Sequence, residues 1–180
     1  MLRFLAPDAV YESLFAVDLD DLKARGIRGL IVDLDNTLIE YGNPHATEEA
    51  RRWVEDALGR GFKICLTSNA RSRRVRHFAR EFNIPAIANA AKPIGRAFRR
   101  AMRLLGTRPD ETAVIGDQVF TDVLGGNRMN TFTVLVNPLS AKELGATRMM
   151  RRLERKVLRE LVRQGLLDER DWQLRQKARQ

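Results

Sequence analysis

Short runs of continuous apolar residues alternate with longer amphipathic stretches along this chain, and this alternation constrains the fold more than any other feature. Each run is too short for a helix. Its apolar character is continuous, as in a parallel strand that is covered on both faces. The predicted strands are residues 28–33, 62–67, 84–88, 112–116 and 131–136.

The stretches between these runs have the end signals of helices. Thr47, followed by two glutamates, opens a helix that Gly61 closes. Further helices are predicted over residues 93–106, from about 18 to 26 after a shorter helical stretch, and from 147 to about 164.

Strands that alternate with helices imply right-handed crossovers within a parallel sheet. The sequence therefore predicts an α/β fold, a Rossmann-like doubly wound sheet of about five core strands. No repeat or Gly/Ser-rich linker divides the chain, so we expect residues 1–180 to form a single domain. It would carry a helical extension over about residues 1–26 and a basic C-terminal helix over about residues 147–180.

Composition excludes several classes of protein. The 44% of hydrophobic residues are enough for a buried core, which excludes intrinsic disorder. No stretch approaches the roughly 18 to 20 apolar residues of a membrane span, and the amino terminus lacks the apolar region of a signal peptide. We therefore expect a cytoplasmic protein. The single cysteine, Cys65, lies in an apolar run and is expected to be an inert core residue.

The chain is strongly basic, with 32 Lys and Arg against 23 Asp and Glu and a formal charge of +9. This charge favours an anionic partner or substrate. Six of the nine net charges lie in residues 148–180, and two further clusters are Arg71, Arg73, Arg74 and Arg76, and Arg96, Arg99, Arg100 and Arg103. Attraction of substrate and a simply solvated helix face both remain open for these two clusters.

Polar residues gather where the predicted strands end, and ligands of a doubly wound sheet bind at that edge. The residues are Asp33 and Asp35 after the first strand, Ser68 and Asn69 after the second, Lys92 after the third, and Asp117 and Asp122 after the fourth. Two acids so close in sequence repel each other unless a cation or donor compensates them.

These residue types indicate phosphoryl chemistry. Carboxylates without His or Cys suit Mg²⁺, which is the expected cofactor. A carboxylate beside the metal can attack phosphorus to give an aspartyl-phosphate, while Mg²⁺ and Lys92 neutralise charge. A second Asp can protonate the leaving alkoxide and then activate water. His45 and His77 have no useful metal spacing, so we expect neither in the site.

Four ordered segments resemble the motifs of the haloacid dehalogenase superfamily of phosphatases. They are Asp33-Leu-Asp-Asn-Thr-Leu, Ser68-Asn69, Lys92-Pro93 and Gly116-Asp-Gln-Val-Phe-Thr-Asp122. Nearly the whole chain is similar to the YqeG-like class IIIA proteins, through segments such as Phe4-Leu-Ala-Pro-Asp and Lys92-Pro-Ile-Gly-Arg-Ala-Phe. That family is related to mitochondrial phosphatidylglycerophosphate phosphatases. One departure is Asn69-Ala70, where relatives often have two asparagines.

The resemblance implies a role for each motif residue. Asp33 would be the nucleophile and a Mg²⁺ ligand, and Asp35 the general acid/base and a ligand through its carbonyl oxygen. Thr37, Ser68, Asn69 and Lys92 would bind the substrate phosphate, and Lys92 would also clamp the nucleophile. Asp117 would be a further metal ligand, and Asp122 would support the metal shell or Lys92.

Superfamily members that choose small substrates usually carry a cap domain, and this chain has no room for one. Residues 39–67 and 70–91 are consumed by predicted elements, whereas a cap needs roughly 50 residues. An open site suits a phosphate on a membrane, a protein or a nucleic acid. The resemblance makes phosphatidylglycerophosphate the leading substrate, with protein or nucleic-acid phosphate as the alternative.

Functions of two other classes account for parts of the sequence. A basic binding module that keeps the fold and assists an RNA or ribosomal partner would explain the charge but not the catalytic set. A receiver-like domain that holds phosphate as a signal is disfavoured, because Asp35 would promote dephosphorylation.

The C-terminal helix allows two interpretations. Met150, Leu153, Val157 and Leu161 share one helical face, and arginines occupy much of the rest. Either this face packs on the sheet and the arginines are solvated, or the helix holds the site against anionic lipid at the inner face of the membrane.

Overall fold

A six-stranded parallel sheet forms the centre of the protein. The computed structural model describes residues 2–140 and 145–177, without the side chains of residues 145–148 and 177. The strands are β1 (Ala9–Tyr11), β2 (Gly29–Val32), β3 (Lys63–Thr67), β4 (Ala86–Ile87), β5 (Thr112–Gly116) and β6 (Phe132–Val136). Their order across the sheet is β1-β6-β5-β2-β3-β4, which confirms the predicted fold class.

Helices alternate with the strands as predicted. They are α1 (Leu19–Ala24), α2 (Glu48–Gly59), α3 (Ser72–Glu81), α4 (Gly95–Leu105), α5 (Leu124–Asn127), α6 (Gly145–Arg163) and α7 (Glu169–Lys177), with a π-helical turn over Val119–Val123 before α5. Side chains cap α1 and α2, since Asp18 accepts hydrogen bonds from Asp20 N and Asp21 N, and Thr47 accepts one from Ala50 N.

Helices cover both faces of the sheet. One face carries Leu30 and Val32 and packs against α1, α2 and α3. The other carries Ile31 and Cys65 and packs against α4, and near β1 and β6 it packs against α6. Burial raises the pKa of the Cys65 thiol to about 12, as expected of an inert core residue.

The sheet has one strand more than the five predicted. β1 lies in the segment expected to be a helical extension and pairs with β6 at the edge of the sheet. It is only three residues long and is flanked by 3-10 turns over Leu2–Leu5 and Leu14–Ala16. Three residues show no recognisable period, so the strand depends on its pairing with β6 rather than on local sequence.

The helix predicted from 147 to about 164 corresponds to α6, and the rest of the segment expected to be a basic C-terminal helix over about residues 147–180 contains a second helix, α7. Gly165 separates them at φ +66°, and its N–H donates to Val162 while the N–H of Leu166 donates to Leu161. This is the Schellman pattern of a helix end. Residues 178–180 lie outside the described residues. No helix in the described ranges has the length and apolar character needed to cross a bilayer.

The buried face of α6 differs from the predicted one. Met150 and Leu153 are 39% and 46% exposed, whereas Arg151 and Glu154 are 3% and 1% exposed. The inward face is therefore shifted by one residue at these positions, and neither the solvated nor the lipid-facing interpretation of the arginines holds for Arg151. The reason is that Arg151 and Glu154 find charged and polar partners beside the sheet, as described below.

Candidate active site

The carboxyl ends of three neighbouring strands bring the predicted site residues together. β2 lies between β5 and β3, so Asp33 after β2 lies near Ser68 after β3 and Asp117 after β5. Lys92 comes from the loop between β4 and α4, and Asp122 from the π-helical turn after β5. The crossovers of the sheet thus gather residues that lie far apart in sequence.

Lys92 is the centre of this cluster. Its Nζ lies 2.5 Å from Asp33 Oδ1 and 2.6 Å from Asp122 Oδ1, and it donates to the backbone oxygen of Thr67 at 3.0 Å. The Lys92 and Asp122 side chains are each 2% exposed. Although burial lowers the pKa of Lys92, the carboxylates of Asp122 and Asp33 outweigh it and raise that pKa. Lys92 is therefore a fixed positive charge between two acids.

The carboxylates outnumber the nearby cations. Burial, together with the charges of Asp122 and Asp117, raises the pKa of Asp33 to about 8 even though Lys92 lowers it. Burial also raises the pKa of Asp117 to about 6, against the lowering effect of Arg151. The short contact between Lys92 and Asp33 shows that Asp33 has a counterion. Its raised pKa therefore reflects desolvation and the additional acids rather than the lack of a partner.

Asp35 is held by an arginine from α3. Arg74 Nε donates to Asp35 Oδ1 at 2.7 Å, and the same guanidinium donates to the backbone oxygens of Asn43 at 2.6 Å and Glu40 at 3.3 Å. Both side chains of the ion pair are partly buried. Arg74 therefore joins α3 to the loop after β2, which carries the predicted acid/base Asp35.

The segment after β3 contains the predicted phosphate-binding residues. Ser68 Oγ accepts a hydrogen bond from Ala70 N at 3.0 Å, which leaves its hydroxyl proton available to an anion. Asn69 Oδ1 accepts from Lys92 N at 2.8 Å, and Asn69 Nδ2 lies 3.4 Å from Lys92 O. Asn69 thus holds the backbone of Lys92, in addition to lining the cleft.

Thr37 is fully buried, and its Oγ1 lies 3.5 Å from Asp117 Oδ1. This places its hydroxyl beside the acid rather than in the cleft. Asp117 is also contacted by Arg151 from α6, and Arg175 from α7 donates to its backbone oxygen at 3.2 Å.

Asp122 lies against the end of β5. Its Oδ2 accepts hydrogen bonds from Gln118 N at 3.2 Å and Thr121 Oγ1 at 3.1 Å. A Cβ on Gly116 would overlap the Asp122 carboxyl group, so glycine at this position allows the close approach.

An open cleft of about 620 Å³ adjoins these groups. Its lining includes Asp33, Asp35, Ser68, Asn69, Arg71, Arg74 and Lys92. Between β2 and β4 the chain forms only a loop, α2, β3 and α3, and this confirms the prediction that no cap is inserted there.

This chain resembles known proteins in both sequence and fold. A family model described as haloacid dehalogenase-like hydrolase matches residues 15–130, more than half of the chain. "Probable phosphatase YqeG" of Bacillus subtilis (strain 168) is 41% identical over 163 residues, which cover 91% of this chain and 95% of the relative. The chain belongs to the haloacid dehalogenase-like hydrolase family. The predicted family and enzyme class, a phosphatase of the haloacid dehalogenase type, are confirmed.

Two further proteins are less similar to this chain. The hydrolase is 28% identical over 174 residues to phosphatidylglycerophosphate phosphatase 1, chloroplastic/mitochondrial, of Arabidopsis thaliana, covering 91% of this chain and 50% of that relative. The cobalt-bound deoxy-D-mannose-octulosonate 8-phosphate phosphatase of Haemophilus influenzae has a TM-score of 0.50 at 15% identity, covering 84% of this chain and 99% of that one. At this identity the likeness shows the fold alone.

The donor set of this hydrolase fits a divalent cation. Asp33, Asp117 and Asp122 are buried oxygen donors. Burial, together with the neighbouring acids, raises the pKa of Asp33 and Asp117 against the lowering effects of Lys92 and Arg151, so a further cation would stabilise their ionised forms. Within the part of the chain that the structure describes, no three His, Cys, Asp or Glu side chains are grouped to hold a metal by themselves. A hard cation that keeps water and phosphate oxygens among its ligands is consistent with this arrangement.

Sequence reasoning missed four residues of the hydrolase site. Arg74 was recognised only as part of a basic cluster, and Arg151 only as one of the solvated or lipid-facing arginines of the C-terminal helix. Glu154 and Arg175 counted only toward the charge of residues 148–180. The spacing of Arg151, Glu154, Leu158 and Leu161 could have indicated the inward face of α6, since these residues also share one side of a helix.

Proposed function

We propose that this hydrolase is a Mg²⁺-dependent phosphomonoesterase that acts through an aspartyl-phosphate on Asp33 and hydrolyses a lipid phosphate such as phosphatidylglycerophosphate. The observation that carries the proposal is the position of Lys92. Its Nζ lies between Asp33 and Asp122, beside a cleft that Asp35 and Ser68 also line.

The residues divide the reaction into two steps. In the first, an Asp33 oxygen attacks phosphorus, the bond between phosphorus and the ester oxygen breaks, and Asp35 gives a proton to the leaving alkoxide. In the second, Asp35 takes a proton from water, whose oxygen attacks phosphorus and releases inorganic phosphate and the Asp33 carboxylate. In both steps Lys92 offsets the negative charge on the phosphoryl oxygens, and the Ser68 hydroxyl donates a hydrogen bond to them.

Three residues would hold the cation in this mechanism. They are Asp33 and Asp117 through their carboxylates and Asp35 through its backbone oxygen. Mg²⁺, when bound, would polarise the phosphoryl group and neutralise its charge. Asp122 has a supporting role, because it fixes Lys92 at 2.6 Å, and Thr37 supports Asp117 rather than the phosphate.

Three observations support a lipid phosphate as the substrate. The cleft is not covered by a cap, Arg71 and Arg74 line it, and the Arabidopsis relative is named for phosphatidylglycerophosphate. An uncapped basic cleft can approach a phosphate at a membrane surface without extracting the lipid.

Peripheral contact with an anionic membrane is part of this proposal. Met149, Met150 and Leu153 are exposed near the start of α6, and Arg152 and Arg155 beside them are exposed too. An amphipathic surface of this kind suits the boundary of an anionic bilayer. Arg151 on the same turn contacts Asp117, so this part of α6 packs against the segment that follows β5.

A substrate screen tests the proposal. Purified protein with Mg²⁺ is compared on short-chain phosphatidylglycerophosphate, a phosphopeptide, an oligonucleotide phosphate, and sugar and nucleotide phosphates, with EDTA and Asp33→Asn as controls. The highest kcat/KM on the lipid phosphate, lost in EDTA and restored by Mg²⁺, supports it. A higher kcat/KM on the phosphopeptide or the oligonucleotide would show that the substrate is not a lipid phosphate. Hydrolysis in EDTA would show that the reaction does not require a metal ion. RNA binding without hydrolysis would favour a binding module.

A further inference from the structure

Arg151 reaches from α6 to a proposed metal ligand. Its Nη2 contacts Asp117 Oδ2, and its Nη1 donates to the Asp117 backbone oxygen and lies 3.1 Å from Glu154 Oε2. The Arg151 side chain is 4% exposed and those of Asp117 and Glu154 are 1% and 2% exposed. A planar guanidinium that bonds the side chain and the backbone of one residue restricts that residue more than a single point charge can.

The neighbours of Arg151 hold the same loop. Glu154 Oε1 accepts a hydrogen bond of 2.7 Å from Val119 N, at the start of the π-helical turn that carries Asp122. Arg175 of α7 donates to the Asp117 backbone oxygen at 3.2 Å and to Asn137 Oδ1 at 3.3 Å. Both C-terminal helices therefore fix the segment after β5, from which two site carboxylates come.

The two oxygens of Asp117 have different surroundings. Oδ2 is contacted by Arg151, whereas Oδ1 lies 3.5 Å from the Thr37 hydroxyl. An ion pair on Oδ2 limits rotation of the carboxylate, so Oδ1, which also accepts from the Thr37 hydroxyl, would be the oxygen to bind a cation. Partners that orient a ligating carboxylate in this way contribute to metal affinity without touching the metal.

We infer that Arg151 is a positioning residue that orients Asp117 for the divalent cation, so that the C-terminal helices form part of the metal site. This inference rests on the proposed function, because that function makes Asp117 a metal ligand. It also changes the interpretation of the basic C-terminal segment, one of whose arginines serves the site from inside the protein.

Binding of Mn²⁺ to the metal-free protein tests the inference. Mn²⁺ accepts the same oxygen ligands as Mg²⁺, and its free concentration is measured by electron paramagnetic resonance. Arg151→Lys keeps the buried charge but cannot reproduce the fork, and we expect its Kd for Mn²⁺ to rise by about 10-fold. Arg152→Gln removes an exposed arginine from the next position and should leave the Kd unchanged.

Circular dichroism and thermal unfolding of the metal-free variants separate positioning from general stability. Arg151→Gln is expected to weaken Mn²⁺ binding more than Arg151→Lys does. If Arg151→Gln does not fold, the Kd of Arg151→Lys alone tests the inference. An unchanged or lower Kd in folded Arg151→Lys would overturn the inference while leaving the proposed function intact. Absence of Mn²⁺ binding in the wild type, or its persistence in Asp117→Asn, would overturn the proposed metal site and the inference with it.

Discussion

Arg74 Nε donates a hydrogen bond of 2.7 Å to Asp35 Oδ1, and this ion pair links α3 to the proposed acid/base. We expect Arg74→Gln to lower kcat by up to about 10²-fold, because a misplaced catalytic group loses near-attack geometry. Steady-state kinetics on the best substrate of the screen measures the effect. Arg76→Gln, an exposed arginine on the same helix, is the matched control, and an unchanged kcat in Arg74→Gln would show that the ion pair does not position Asp35.

The raised pKa of Asp33 predicts a pH-dependent stability of the metal-free protein. Burial beside other acids raises this pKa from 3.8 to about 8. Between these pH values the folded protein keeps a proton that the unfolded chain releases, so this contribution to stability decreases as the pH rises toward 8. Asp33→Asn cannot ionise. At pH 8 in EDTA it should melt several degrees above the wild type, with a smaller difference at pH 5.

Thermal unfolding from pH 5 to 8 measures that difference. Glu55→Gln changes an exposed acid and should follow the wild type at every pH. A constant difference between Asp33→Asn and the wild type over this range would mean that Asp33 is ionised throughout.

The close approach of Asp122 to Gly116 predicts a structural cost. A Cβ at Gly116 would overlap the Asp122 carboxyl group, so we expect Gly116→Ala to reduce the free energy of unfolding by about 1–3 kcal/mol and to displace Lys92. Chemical denaturation and kcat both report the change. Gly59→Ala is the control, since a Cβ there meets nothing within 4 Å, and equal stability of the two variants would contradict the expectation.

The sequence predicted the parts of the site that depend on strand ends. Asp33, Ser68 and Asp117 could be placed together because parallel strands share one carboxyl edge. The partners of these residues could not be found in this way. Arg74 and Arg151 are two among many arginines, and pattern alone does not indicate which arginine meets a buried acid.

The helix α6 shows why a hydrophobic pattern can mislead. Met150 and Leu153 were favoured for the buried face because they are apolar, yet Arg151 and Glu154 occupy it. A buried ion pair is stable only when further partners satisfy it, and those partners, Asp117 and Val119 N, come from another part of the chain. Local sequence contains no information on them.

The exposed start of α6 predicts salt-sensitive binding to anionic lipid. Met149→Ser combined with Leu153→Ser should reduce co-sedimentation with phosphatidylglycerol vesicles, because it removes the apolar part of the surface. Leu104→Ser, which changes an exposed apolar residue on α4, is the matched control. Truncation of the chain before Arg148 would not test membrane binding alone, because it also deletes Arg151, which contacts Asp117 in the site. Equal binding of the double variant and the wild type, or equal binding to neutral vesicles, would exclude this surface as a membrane contact.

Trapping the phosphorylated enzyme tests the central claim most directly. Wild type and Asp35→Asn are mixed with the best substrate of the screen and Mg²⁺, quenched in acid within one turnover, digested, and analysed by mass spectrometry for an acyl phosphate. Asp35→Asn should slow both steps by roughly 10² to 10⁴, and Asp33→Asn should give no phosphorylated peptide and no turnover. We predict that the phosphate is found on Asp33. Turnover by Asp33→Asn at the wild-type rate, or phosphate on another residue, would contradict the account.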